Sequence, residues 1–105
     1  MIVARVQFPV NVSDKEDFIK KMAATTPKYE GLAGLIRKYY VMSEDGKQAG
    51  GIYLWETKEQ AQAWYNADWE KYMTEAWGEP PLLEYLDCPI VVDNETAKVI
   101  TKDAA

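Results

Sequence analysis

The feature that most constrains this chain is the stretch 50–64, in which a strand pattern changes into a helix pattern within two residues. Residues 52–55 are β-branched, aromatic and aliphatic, the types that fill a buried strand. Thr57 and Gln60 have the spacing of a capping box, which predicts a helix that begins directly after the strand. The junction is therefore expected to bring together three aromatic side chains as walls of any pocket: Tyr53, Trp55 and Trp64.

The rest of the chain supplies the other elements of one small domain. Strand, helix, strand, strand, helix, strand is the order of the ferredoxin-like βαββαβ fold, in which right-handed crossovers place both helices on one face of an antiparallel sheet. We predict this α+β fold for residues 1–93, followed over 94–105 by a C-terminal arm or a short extra strand. The hydrophobic periodicity predicts strands over 2–8, 32–42, 49–56 and 82–92, and helices over 13–26 and 58–78.

Finer expectations concern the ends and breaks of these elements. Ser13 and Glu16 predict a capping box at the first helix. The second helix is interrupted at 66–68, where Asp68 is a candidate cap for the piece that follows. Pro89 is expected to bend or end the fourth strand. The glycine pair 50–51 indicates a bulge or a close approach of another backbone.

The predicted sheet has one face that no helix covers. Apolar residues fall on that face, among them Val3 and either Leu35 or Ile36, together with one side of the fourth strand. Leaving them bare would expose a large apolar patch. We therefore predict a homodimer in which two copies pack sheet against sheet.

Composition excludes several classes of protein. The net charge of −5 over 105 residues argues against nucleic acid and against an anionic membrane surface as partners. No apolar run approaches the roughly 20 residues that span a bilayer, and we expect no signal peptide. The single cysteine, Cys88, fits a reducing cytoplasm. The chain has no histidine, so we expect no metal site and no histidine-ligated haem.

The aromatic residues are the strongest candidates for a site. Seven Tyr, four Trp and two Phe are more than surface scatter explains in 105 residues, and core plus a cavity lining explains them better. Each has two interpretations. Trp64 stacks on a planar ligand or simply packs between helix and sheet, and Tyr53 and Trp55 share one strand face as pocket wall or as core. The helical stripe Trp69, Tyr72 and Met73 is more typical of core.

Arg37 is the candidate for holding an anion. A strand-borne arginine that faces a cavity can grip a phenolate, an enolate or a carboxylate through its fork of donors. An exposed edge position or a salt bridge within a dimer is the simpler alternative. Tyr40, three residues further on, is a similar case.

The segment Lys47-Gln48-Ala49-Gly50-Gly51-Ile52-Tyr53-Leu54 resembles the YdhR-type family of mono-oxygenases. That family belongs to the dimeric α/β barrel superfamily, with the antibiotic-biosynthesis mono-oxygenases, and the similarity extends from residue 31 to residue 89. The resemblance implies a homodimeric barrel that holds a small aromatic substrate between helices and sheet. It also implies oxidation by molecular oxygen with neither metal nor flavin.

On this resemblance each candidate residue receives a role. Trp64, Trp55 and Trp69 would stack on the substrate, Tyr53 and Tyr40 would donate hydrogen bonds, and Arg37 would hold the developing anion, with Tyr72 a further contact. The reactive group that removes the substrate's proton stays open among a tyrosinate, a carboxylate and water.

Two other functions remain candidates on the same scaffold. One is a non-catalytic dimer that binds an aromatic ligand, and the other is an isomerase or cyclase that needs no oxygen. The segment 64–68 also resembles the tryptophan-bearing helix of haem-degrading barrels, but Thr74 stands where those proteins have their histidine ligand. That departure argues against haem degradation, and we expect no cofactor.

Overall fold

A computed structural model describes residues 1–101 of the chain. These residues form six strands, three α-helices and one 3-10 turn, and the first four strands and the α-helices keep the predicted βαββαβ order, with the second helix in two pieces. The elements are β1 Ile2–Pro9, α1 Lys15–Ala23, the 3-10 turn Thr26–Lys28, β2 Leu35–Met42, β3 Gln48–Trp55, α2 Lys58–Trp64, α3 Ala67–Trp77, β4 Leu82–Asp87, β5 Ile90–Asp93 and β6 Lys98–Thr101.

Four strands form one antiparallel sheet in the order β2-β3-β1-β4. Apolar side chains of all three helices pack with the buried residues of one sheet face, so that this face carries the core. On β1 the alternation is regular, because Ile2, Ala4, Val6 and Phe8 are buried. The predicted ferredoxin-like α+β fold is confirmed.

A β-bulge interrupts β2 at Ile36 and decides which of its side chains face the helices. Leu35 pairs with Trp55, but Arg37, two residues later, pairs with the adjacent Leu54. The extra residue reverses the alternation, because successive side chains of a strand point to opposite faces. Beyond the bulge, Lys38 therefore lies on the helix-covered face.

The glycine pair reflects close approach. The β1–β3 register is continuous past Gly50 and Gly51, so no bulge occurs there. A Cβ atom on Gly50 would collide with the carbonyl oxygen of Val6. A Cβ atom on Gly51 would lie 2.8 Å from the Tyr53 ring and 3.2 Å from Cε of Lys38.

The predicted cap of α2 is confirmed, because the hydroxyl of Thr57 accepts from the backbone N–H of Gln60 at 3.2 Å, but the other two caps differ from the prediction by one or two residues. The first helix is capped by Asp14, whose carboxylate accepts from the backbone N–H of Asp17 at 3.1 Å, and Ser13 lies one residue before the cap. The break between α2 and α3 occurs where predicted, but its cap is Asn66, whose side chain accepts from the N–H of Trp69 at 2.9 Å. Both caps place an acceptor oxygen at the unpaired N–H groups of a first turn.

Two other boundaries also differ. The second strand begins at Leu35, because Gly31 and Gly34 adopt positive φ angles and keep the preceding residues out of the sheet. The predicted fourth strand is two strands, since Cys88 and Pro89 separate β4 from β5. β5 pairs with β6 in a hairpin of its own, so the short extra strand is present. Residues 102–105 of the predicted arm lie outside the described residues.

We call the sheet face opposite the helices the bare face. On it Arg37 donates to the carboxylate of Asp93 at 3.3 Å, an ion pair that joins β2 to the hairpin. Large apolar side chains of the strands and of the hairpin remain exposed: Tyr39, Val41, Leu82, Leu86, Ile90, Val92 and Val99. None of the helices within residues 1–101 is long and apolar enough to cross a membrane.

Candidate functional site

A cavity of about 80 Å³ lies between the helix-covered sheet face and the helices. We call it the tyrosine chamber. Its floor includes Gly51, which leaves room for the side chains beside it. The tyrosines and tryptophans that line it are Tyr29, Tyr40, Tyr53, Trp69, Tyr72 and Trp77.

The amine of Lys38 lies among three of these rings. Its Nζ is 3.5 Å from the ring centre of Tyr29, 3.8 Å from that of Tyr40 and 4.7 Å from that of Tyr53. A cation at such distances is attracted by the negative face of the ring. The same rings shield part of the side chain from water, so that Lys38 is half-buried.

Burial changes the charge of this amine. Desolvation, followed by repulsion from the Lys28 ammonium, lowers the pKa of Lys38 from its ordinary value of 10.5 to about 7. The three ion pairs found within residues 1–101 do not include Lys38. Near neutral pH the amine is therefore divided between its neutral and its protonated form.

The pKa values of the buried tyrosine hydroxyls are raised, whereas the pKa of Lys38 is lowered. Burial raises the pKa of Tyr53 and of Tyr29 above the ordinary value of 10.0, because the phenolate form loses its hydration. Burial also raises the pKa of Tyr65, behind Tyr53. These tyrosines stay neutral at neutral pH, so they donate hydrogen bonds and do not accept protons.

An apolar groove adjoins the chamber between α1 and the edge strand β2. This α1 groove encloses about 450 Å³, and its lining includes Phe18 and Ile19 of the helix. Chamber and groove share Met22, Tyr40 and Gly50, so the two spaces meet there.

The shared wall and the opposite end of the chamber are each held by a side-chain contact. The hydroxyls of Tyr40 and Thr25 are 2.7 Å apart, which fixes the ring between groove and chamber. At the other end Nζ of the exposed Lys28 lies 5.2 Å from the ring centre of Tyr72. The chamber therefore has an apolar side toward the groove and a positively charged side toward solvent.

Comparison with known proteins gives the family. The family model described as "Putative mono-oxygenase ydhR" matches residues 3–78, most of the chain. The chain belongs to this family. No curated protein matches it significantly. The crystal structure of a protein of unknown function from Nitrosomonas europaea is similar, with a TM-score of 0.64 at 13% identity over 83% of this chain and 87% of that one. At that identity the likeness concerns the fold.

The structure brings four of the predicted site residues into the chamber lining: Tyr40, Tyr53, Trp69 and Tyr72. Tyr53 is 4% exposed and joins the chamber to the core behind it. Trp69 packs edge-on against Tyr65 at 4.9 Å between ring centres.

Two predicted residues lie one layer behind the chamber. Trp55 is 1% exposed and its indole N–H donates to the hydroxyl of Tyr65 at 3.2 Å, which is the arrangement of a core residue with its polar tip paired. Trp64 packs against Tyr29 at 5.4 Å between ring centres. Within residues 1–101 the buried indole N–H of Trp64 has no acceptor. Trp64 therefore supports Tyr29 and does not line the chamber.

The structure does not bring Arg37 to the chamber. The bulge at Ile36 turns Arg37 to the bare face, where it pairs with Asp93 and lies beside the hydroxyl of Tyr39 at 3.4 Å. Of the two simpler alternatives, the exposed edge position describes its surroundings, because Arg37 is exposed on the edge strand β2 and its ion pair with Asp93 lies within one chain. Its position gives no support to a role in holding an anion inside the chamber.

Sequence reasoning missed Lys38, Tyr29 and Met22. Lys38 follows Arg37 directly, and only the register of β2 tells which of the two faces the helices. One signal was available: Lys38, Tyr40 and Met42 alternate, so Tyr40 as a pocket residue would have placed Lys38 there too. Tyr29 belongs to a loop, where periodicity gives no information.

The described residues contain no group of three or more His, Cys, Asp or Glu side chains that could hold a metal ion. Cys88 is a free thiol next to the β4–β5 junction. Its Sγ lies 3.7 Å from the carbonyl oxygen of Ile90, away from the chamber.

Proposed function

We propose that the protein is a mono-oxygenase that oxidises a small electron-rich aromatic or quinol-type substrate with molecular oxygen and needs no cofactor. The observation that carries the proposal is an enclosed chamber walled by aromatic rings, placed next to an apolar groove. The family assignment supports the reaction class, and the chamber supports the substrate class.

The sizes of the two spaces indicate how a substrate would bind. A benzene-sized ligand occupies a cavity of roughly 150 Å³, and the chamber alone has about 80 Å³. The α1 groove, with about 450 Å³, holds the remainder of a ring system. We therefore propose that the reacting ring lies at the junction near Tyr40, with its reactive carbon toward Lys38.

The reaction balances without a further reductant. For an anthrone, a ring CH₂ group and O₂ give a ring carbonyl and water: one oxygen atom enters the product, the other leaves as water, and the carbon supplies all four electrons. For a hydroquinone, the ring supplies the same four electrons, and the products are a hydroxyquinone and water. The substrate first loses a proton, and its anion then reduces oxygen. The contribution of the protein is a water-poor site in which neutral donors such as Tyr53 stabilise the anion.

Oxygen uptake by the metal-stripped protein tests this proposal. Hydroquinones, anthrones and flavonols are supplied in turn, each with an anaerobic control, and the product is identified by mass. We expect uptake that scales with protein concentration and persists in chelator. Saturable quenching of tryptophan fluorescence without any product would contradict the proposal and indicate a binding protein. Product formed without oxygen would contradict it and indicate an isomerase or cyclase.

A matched pair of variants ties the activity to the α1 groove. Met22→Trp fills the junction of groove and chamber, and Lys20→Trp places the same ring on an exposed position of the same helix. We expect Met22→Trp to lower kcat/KM by about tenfold or more, the effect of roughly 1.4 kcal/mol of lost binding. Lys20→Trp should match the wild type; equal activity in both variants would place the site elsewhere.

We also propose that the protein works as a homodimer through the bare face, in the cytoplasm. The exposed apolar residues of the strands and the hairpin support the dimer, since a patch of this kind marks an interaction surface. The single, unpaired cysteine supports a reducing compartment.

A further inference from the structure

The tyrosine chamber contains two amines and no acid. Lys38 and Lys28 both line it, and none of the lining residues is Asp or Glu. A chain with five more negative than positive charges has thus placed two amines at this space, with Lys38 inside it and the exposed Lys28 at its mouth. An enclosed cation without a counter-ion is unfavourable, so the arrangement favours a ligand that supplies the negative charge.

Each element around Lys38 contributes a group that faces it. The loop after the 3-10 turn contributes Tyr29, β3 contributes Tyr53, and β2 itself contributes Tyr40. The turn contributes the Lys28 ammonium, whose repulsion favours the neutral amine. On the outer side, Glu30 lines a surface depression together with Lys38, without forming an ion pair with it. α3 contributes Tyr72, at the mouth beside Lys28.

We propose that Lys38 accepts the proton of an acidic aromatic hydroxyl group and then pairs with the phenolate so formed, which makes ionisable phenols, hydroquinones and enolised anthrones the substrate class. This proposal adds a proton acceptor to the proposed function, and it rests on that function only for the later reaction of the anion with oxygen.

The proton transfer is balanced within the chamber. The O–H bond of the ligand breaks and an N–H bond forms at Nζ of Lys38, so a neutral pair becomes a phenolate and an ammonium ion. No electron moves in this step. The low polarity of the surroundings strengthens the resulting ion pair, and Lys28 at the mouth adds a second attraction for the anion.

Lys38 also suits the role by elimination among the groups that face the chamber. The buried tyrosines hold their protons more firmly than free tyrosine does, and no carboxylate lines the space. The neutral amine of Lys38, whose pKa burial lowers to about 7, is therefore a base that can exchange a proton near neutral pH.

The test uses 4-nitrophenol, which oxygen does not attack and whose phenolate, unlike the phenol, absorbs blue light. It is titrated with wild-type protein near pH 7, where part of Lys38 is the neutral amine, and the phenolate absorbance of the free ligand at that pH is subtracted. We expect a saturable phenolate band. The methyl ether 4-nitroanisole, which has no proton to give, should bind about tenfold or more weakly, equivalent to roughly 1.4 kcal/mol.

The variants are Lys38→Met, which keeps an unbranched apolar stem, and Lys20→Met, which removes an amine from the exposed side of α1. Lys38→Met should bind both ligands with similar affinity and show no phenolate band, whereas Lys20→Met should behave as the wild type. A phenolate band of equal size in Lys38→Met would overturn the proposal, and so would neutral nitrophenol bound to the wild type. If Lys38→Met did not fold, the comparison of the two ligands on the wild type would still decide.

The outcome is independent of oxygen chemistry. A phenolate band without oxygen uptake from any substrate would contradict the proposed function and leave this inference standing. Oxygen uptake with nitrophenol bound as the neutral phenol would support the proposed function and contradict this inference.

Discussion

The covered and the bare face of the sheet are made by the same four strands, yet they differ in nearly every physical property. On the covered face, β1 and β3 place a layer of buried side chains under the helices, and the half-buried Lys38 of β2 lies beside them. On the bare face, Tyr39 and Val41 of the same strand are 53% and 44% exposed. An aromatic-lined chamber lies on one side of the sheet, and exposed apolar side chains lie on the other.

One inserted residue sets this division on β2. Without the bulge at Ile36, the register that places Leu35 beside Trp55 would bring Arg37 and Tyr39 to the covered face, and Lys38 and Tyr40 to the bare one. The difference teaches that a site on a strand depends on register as much as on residue type. It also explains why Arg37, a reasonable choice from its side chain, lies on the opposite face from the chamber.

The largest expected effect is the difference in unfolding free energy between a substitution on the covered face and one on the bare face. Trp55→Ala removes a fully buried ring and its hydrogen bond to Tyr65, so it should lower the free energy of unfolding by about 3–5 kcal/mol. Tyr39→Ala, on the bare face, should change it by no more than ~0.5 kcal/mol in dilute monomer. Urea unfolding measures both, and equal losses would mean that the bare face is packed in the monomer.

The second effect concerns association. Leu86 lies in the apolar part of the bare face and is 49% exposed in the single chain, and Leu86→Lys places an amine there. In a twofold dimer the change occurs twice, so the dimer dissociation constant should rise by about 100-fold or more, equivalent to roughly 2.7 kcal/mol. Light scattering after size exclusion measures the mass. The control is Ile19→Lys, which is similarly exposed at 58% but lies on α1; a monomer in the control alone would place the interface on the helices.

The third effect is a pH-dependent gain in stability. Lys38→Met should unfold at a higher temperature than the wild type, because it removes an amine whose pKa burial lowers to about 7. Between about pH 7 and 10.5 unfolding of the wild type takes up a proton at Lys38, so wild-type stability rises with pH across that window. The advantage of the variant should thus be largest below pH 7 and shrink toward pH 10.5. Thermal scans at several pH values, with Lys20→Met as control, measure it; a constant difference would contradict the assigned surroundings of Lys38.

The smallest effect tests the break between α2 and α3, which orients Trp69 toward the chamber. Asn66→Ala removes the cap of α3 and should cost about 1 kcal/mol, as the loss of an N-cap usually does. Asp68→Ala lies in the first turn and should cost less. The denaturant midpoints of the two variants measure both losses. A larger loss of stability in Asp68→Ala would show that Asp68 caps α3, as the sequence predicted.

The fold could be predicted from the sequence because its signals are local. The alternation of β1, the change of period after Trp55 and the left-handed Gly78 that ends α3 each depend on a few neighbouring residues. The four chamber residues found from sequence, among them Tyr40 and Tyr53, follow from the same patterns. Lys38 was missed although it alternates with Tyr40, because its surroundings arise from the bulge and from Tyr29, which reaches it from a loop.

The most direct test of the account is a nuclear magnetic resonance titration of protein labelled in its tyrosine rings, with 4-nitrophenol under nitrogen. Tyr29, Tyr40 and Tyr53 surround Lys38, and Tyr39, next to Tyr40 in the chain, lies on the bare face. The account predicts large, saturable shifts for the three chamber rings and none for Tyr39. Shifts at Tyr39 with the chamber rings unchanged would contradict it, because the ligand would then bind on the other side of the sheet.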